Sequence, residues 1–167
     1  DKAGIAHDLL TDLVEIADTS WQAAVEAVLS SSAHIVLLTD KKDEARALSL
    51  GEQFKYRHYI VPERAQPPLA PKGSLLEIVK FSRDVPEWVS RVLAGITRVE
   101  DAKAGASLPR SEDWVTRQGY LRERRGGRFA APEQPRFGRA RLDALRTQLA
   151  EAQKQTQTLL AQLKPIN

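Results

Sequence analysis

The chain has 167 residues, no cysteine and no methionine, with 42% hydrophobic residues, 28% charged residues and a formal net charge of +3. That composition is ordinary for one globular domain, or a domain with an appendage. It excludes disulfides, thiolate catalysis and cysteine-ligated zinc, and no apolar run is long enough to cross a bilayer as a helix.

Residues 5–16 (IAHDLLTDLVEI) have a mixed pattern, readable as a strand or a short helix. Asp18, Thr19 and Ser20 then offer helix caps. Trp21, Ala24, Val25, Val28 and Leu29 follow on one helical face, and Ser30–Ser32 break it. His34–Thr39 is a β-branched apolar run that predicts a buried strand. Asp40 is expected to cap a helix ending near Gly51, and 56–61 (YRHYIV) predicts a second strand. This alternation argues an α/β unit.

Pro62, Pro67, Pro68 and Pro71 make residues 62–72 a stiff link. Residues 75–81 fit helix or strand. Asp84 and Pro86 mark a helix start, with Val85, Trp88, Val89, Val92 and Leu93 as its expected buried face and Gly95 as its end. A strand at 96–99, a short alanine-rich helix at 101–107 and a strand from Trp114 extending towards Leu121 complete a second α/β lobe. The expected organisation is therefore a domain over 1–135, with lobes at about 1–61 and 73–135, followed by a coil from 136 to 167.

That coil is the clearest pattern. Leu142, Leu145, Leu149, Ala152, Thr156, Leu159 and Leu163 recur at alternating spacings of three and four, a heptad seam separated by polar residues. It fits an arm leaving the domain or a long helix packed on it. With a helix still running at the C-terminus and no initiating methionine, the sequence reads as a piece of a longer protein. No secretory leader is recognisable.

Charge is unevenly placed. Residues 117–141 hold eight arginines (117, 122, 124, 125, 128, 136, 139 and 141) against Glu123 and Glu133, which is +6 in 25 residues and leaves −3 for the other 142. Tyr120, Phe129 and Phe137 are interleaved. Arginine suits forked contacts to phosphate, so the stretch fits a nucleic-acid surface. It equally fits a solvated loop or arginines paired to acids elsewhere on the fold.

Catalytic signatures are missing from the sequence. His7, His34 and His58 share no motif, and the two predicted to lie in strands fit packed or hydrogen-bonded roles better than metal ligation. There is no phosphate-binding G-x-x-x-x-G-K-[ST] loop and no G-x-S-x-G elbow. Neither catalytic residues, a metal nor a cofactor is expected in this fragment.

Three stretches resemble the hinge domain of SMC proteins, the ATPases of cohesin, condensin and related bacterial complexes. They are 21–48 (WQAAVEAVLSSSAHIVLLTDKKDEARAL), 98–107 (RVEDAKAGAS) and 114–127 (WVTRQGYLRERRGG), followed directly by the coil. The pattern departs from the family where Arg125 precedes the glycine pair, where Arg122–Arg124 replace a glycine-bearing segment, and at Ser30–Ser32. The arginine-rich departure is similar to a divergent bacterial condensin-like branch of the Mks or Wadjet type, with plasmid defence as the implied role. The resemblance implies a mixed α/β, two-lobed module that pairs with a second hinge through sheet edges. Gly119, Gly126 and Gly127, with Tyr120 and Leu121, would lie at that homodimer interface. The alternative for the glycines is an ordinary hairpin turn. It further implies non-specific DNA contact through the arginines, other subunits met through the parent ATPase, no membrane, and a cytoplasmic, nucleoid-associated setting. A different class stays open: a monomeric module that docks another protein through its C-terminal helix. RNA in place of DNA stays open too.

Overall fold

A computed structural model describes residues 4–163, with the side chain of Leu163 outside the described set. Residues 5–16 resolve as strand, turn of helix, strand: β1 (His7–Leu9), α1 (Leu10–Leu13) and β2 (Val14–Ile16). Asp18 accepts from the Ser20 amide and opens a short 3-10 turn into α2 (Gln22–Leu29). After the serine break come β3 (Val36–Leu38), α3 (Glu44–Gln53) and β4 (Ile60–Val61). β3 lies between β1, antiparallel, and β4, parallel. Only the last two residues of the strand expected at 56–61 pair. The Tyr56 hydroxyl instead binds the His34 carbonyl, and His34 and His58 sit outside the strands, exposed, with ring centroids 5.0 Å apart.

Residues 75–81 divide between the two expectations. Leu75–Ile78 form a 3-10 turn and Val79–Phe81 form β5, which pairs antiparallel with β2. This two-strand sheet joins the first segment to the chain beyond the proline link. Arg64, within that link, donates to the carbonyls of Leu37 and Leu38 and pairs with Asp8 at 2.9 Å. The link is thus tied down at Arg64 and at Ala65, whose amide bonds the Val85 carbonyl, and one hydrophobic core runs from Leu10 and Val25 to Val115 and Phe137.

α4 (Glu87–Ala94) begins after Pro86 and ends at Gly95. Its buried face is Val89, Ser90 and Leu93, together with Val85 just before it, while Trp88 and Val92 are each 38% exposed. Val85, Val89 and Leu93 are thus buried as expected, and Ser90 takes a place on that face where Trp88 and Val92 do not. β6 (Ile96–Val99) and α5 (Ala102–Ala106) follow, the latter capped by the Asp101 carboxylate on the Ala104 amide at 2.8 Å. The strand expected to run from Trp114 towards Leu121 is broken at Gly119 into β7 (Asp113–Thr116) and β8 (Tyr120–Glu123). β9 (Gly126–Phe129) then closes a second hairpin, giving a sheet ordered β6-β7-β8-β9 with only the first pair parallel. The chain ends in α6 (Gly138–Leu163).

Candidate functional site

The end of the second sheet carries a bare strand edge and a basic hairpin, and the root of a long helix packs on β2 and α1. β9 is the terminal strand of its sheet, and all four of its residues are exposed. Its outer edge leaves backbone donors and acceptors open to another strand. Phe129 is 64% exposed beside it, and Tyr120, its cross-strand partner on β8, stacks towards Trp114 at 6.3 Å.

The three glycines are not equivalent. Gly119 has φ +98°, and a Cβ there would meet the Ala131 Cβ at 2.5 Å and the Ala23 carbonyl oxygen at 3.1 Å. Its amide bonds to the Thr116 carbonyl and its own carbonyl accepts from Ala130. It is buried by its own chain and turns β7 into β8. Gly126 has φ +126° and open space around it. Gly127 lies under the Tyr120 ring, whose Cε1 a Cβ would meet at 2.6 Å. Leu121 points into the core at 3% exposure, under α2. Of the five residues expected at an interface, Gly126 and Gly127 lie on the edge strand, Tyr120 covers Gly127 from β8, and Gly119 and Leu121 support the edge from inside.

The eight arginines also divide. Arg117 holds Glu100 with two bonds, 2.6 and 3.2 Å, binds the Ser20 hydroxyl and lies over the Trp21 ring at 4.4 Å. The bond from Arg117 is the largest cause of the lowered Glu100 carboxyl pKa. Arg122 donates to the carbonyls of Glu112 (2.7 Å) and Arg110 (3.0 Å). Arg136 reaches the Ser30 carbonyl, and Arg141 pairs with Asp12 at 3.2 Å. Arg124, Arg125, Arg128 and Arg139 are exposed, with no side-chain partner among the described residues. Three of these four sit on the β8–β9 hairpin, so a positive tip flanks the bare edge.

The arm leaves from β2 and α1. Leu142, Leu145, Leu149 and Leu159 are 49–60% exposed, and Ala152 and Thr156 are exposed as well. The helix packs chiefly on β2 and α1 among the described residues. It is an arm, and not a helix lying on the core. Its seam carries apolar side chains that no described residue covers.

The sequence did not reveal what anchors that arm. Phe137 sits amid the arginine stretch yet is fully buried. The Arg136 and Phe137 amides donate to one oxygen of Glu26, at 2.8 and 3.0 Å, and Gln22 bonds both Glu26 and the Phe137 carbonyl. Glu26 is only 2% exposed. Burial pushes its carboxyl pKa up, against the pull of those bonds. Gln22 and Glu26 are four apart on α2, a spacing that puts both on one face. That was the available signal.

A two-strand sheet joining the segments on either side of the proline link, a free edge on the four-stranded sheet and a projecting helix complete the architecture. The chain's fold is that of the SMC hinge domain. A Pyrococcus furiosus Smc hinge domain with an extended coiled coil is similar over 96% of this chain and 65% of its own, just under two thirds, at 19% identity and a TM-score of 0.62. The asymmetric dimer of the Geobacillus stearothermophilus SMC hinge domain is similar over 96% of this chain and 71% of its own, at 17% identity and a TM-score of 0.63. A second Pyrococcus furiosus SMC hinge structure covers 83% of this chain and 78% of its own, at 18% identity and a TM-score of 0.55. No family model matches the sequence, and no curated protein does.

Proposed function

We propose that this chain is the dimerisation hinge of an SMC-like ATPase whose nucleotide chemistry lies in other parts of the parent. The observation that carries this reading is the bare β9 edge in a chain that also sends out an exposed arm. Two copies pair through sheet edges, β9 of one against the first lobe of the other, and each sends out one α6 arm. Homodimerisation agrees with the Geobacillus stearothermophilus neighbour, which is a dimer of hinge domains. The arm's open seam takes a second helix of the parent. That seam also supports a second reading, in which the module docks another protein's coil and stays monomeric through its lobes.

Arg124, Arg125, Arg128 and Arg139 contact DNA phosphates without reading sequence, because the hairpin offers charge and no base-reading element. The setting is cytoplasmic and nucleoid-associated, and the parent's other subunits are those of a condensin-like complex. The test is duplex binding at several salt concentrations. Each phosphate contact contributes roughly −0.9 to the slope of log affinity against log salt. Replacing Arg124, Arg125 and Arg139, which lie off β9, with glutamate should abolish most of that slope while leaving the lobes folded and dimeric. Unchanged DNA binding removes the DNA part of the proposal.

A further inference from the structure

The buried carboxylate of Glu26 has no place in strand pairing or in phosphate contact. It lies on the inward face of α2, beside Ala24, Val25 and Ala27, where an apolar side chain would avoid the desolvation that a charge suffers. Its Oε2 is buried and accepts no hydrogen bond among the described residues. Its Oε1, by contrast, accepts three: from the amides of Arg136 and Phe137, about 110 positions along the chain, and from Gln22. The two amides are consecutive, and the next residue, Gly138, takes φ +63° against the Val14 carbonyl to begin α6. A negative charge at this point also complements the positive end of a 26-residue helix.

Besides the buried Phe137 ring and the bond from Arg136 to the Ser30 carbonyl, three contacts bear on the arm's direction. Glu26 and Gln22 hold its approach, Gly138 turns it against β2, and Arg141 reaches Asp12. The last pair is solvent-exposed and contributes little constraint. The glycine turn has freedom of its own. Only the Glu26 contact is both charge-assisted and buried. Arg136 is the charged side chain that bears on it, and its guanidinium is committed to the Ser30 carbonyl.

We propose that Glu26 is a positioning residue that fixes the direction in which the arm leaves the lobes. Because α2 also packs on β8, the neighbour of the free strand β9, Glu26 ties the arm to the layer that carries the open edge. The edge and the arm then move as one body.

The chain lacks cysteine, so two labels can be placed at will. Spin labels at Lys103→Cys on α5 and Gln153→Cys on the arm, both exposed, report the arm's direction in the full chain. Labelled protein is diluted with unlabelled chain, so that each measured pair lies within one molecule. The wild-type background should give a single narrow distance distribution. E26A should widen it at least twofold with the lobes still folded. E26Q keeps an acceptor oxygen and should restore the narrow distribution. If E26A fails to fold, Q22A decides: it removes the bonds to Glu26 and to the Phe137 carbonyl from the edge of the site, and should widen the distribution while leaving the urea midpoint of the lobes unchanged. A folded E26A as narrow as wild type, an E26Q as broad as E26A, or an unchanged Q22A where E26A does not fold, overturns the proposal.

Discussion

Gly119 and Gly127 look alike in sequence and should fail in different assays. An alanine at Gly119 must hold φ +98°, which costs roughly 1–2 kcal/mol for a residue with a Cβ. The new methyl also meets the Ala131 Cβ at 2.5 Å and the Ala23 carbonyl oxygen at 3.1 Å. Both neighbours are short or belong to the backbone, so relief needs the chain to shift, at about 1–3 kcal/mol. G119A should therefore lose about 2–5 kcal/mol, a large share of the ~5–15 kcal/mol that holds a domain together. At a urea slope typical of small proteins the midpoint should fall by about 1–2 M. An alanine at Gly127 meets the far end of the Tyr120 ring, which is partly exposed and can swing outwards. G127A should cost under about 1 kcal/mol in folding, in line with surface changes. It should instead weaken self-association, because the added methyl and displaced ring crowd the β9 edge. Urea melts followed by tryptophan fluorescence, with sedimentation on the same samples, separate the effects. Equal folding losses for the two variants, or a G119A as stable as wild type, would refute this reasoning.

Phe137→Ala should cost about 3–5 kcal/mol by opening a cavity at a fully buried site, read from the same melts. Glu26 sets a pH dependence. Its folded pKa is raised, so the folded state holds a proton that the unfolded state releases, and stability should fall as pH rises from the ordinary glutamate range through the raised value. E26Q should lack that decline, seen as urea midpoints of wild type and variant that diverge in this window. Arg122→Ala strips the donors from the Glu112 and Arg110 carbonyls, so it should lower the melting temperature and leave DNA affinity nearly unchanged.

The heptad spacing made α6 legible because an exposed helix has only its own seam to display, and Leu142, Leu145, Leu149 and Leu159 prove exposed. The alternation of helix and strand in 18–61 was equally plain, since buried strands such as Val36–Leu38 are runs of apolar residues. Two things were hidden. β9 begins with two glycines, poor strand formers, so its pairing with β8 shows only in three dimensions. The division of the arginines depended on partners far along the chain, such as Glu100 for Arg117 and Asp12 for Arg141, which local charge counting cannot supply. Phe137 read as part of a basic surface because sequence shows its neighbours and not its depth. The proline link at 62–72 suggested a stiff connection between two lobes. The β2–β5 pair and the shared core bind them more closely than composition implied.

The central claim is that the lobes themselves pair. It is tested most directly by the mass in solution, at tens of micromolar, of the full chain with Leu145, Leu149 and Leu159 changed to glutamine. Those side chains are already exposed, so the lobes stay intact while coil pairing is removed. A species of twice the 18.6 kDa chain mass is expected, reduced to a single chain when G127A is added. A single chain before that addition would contradict the account.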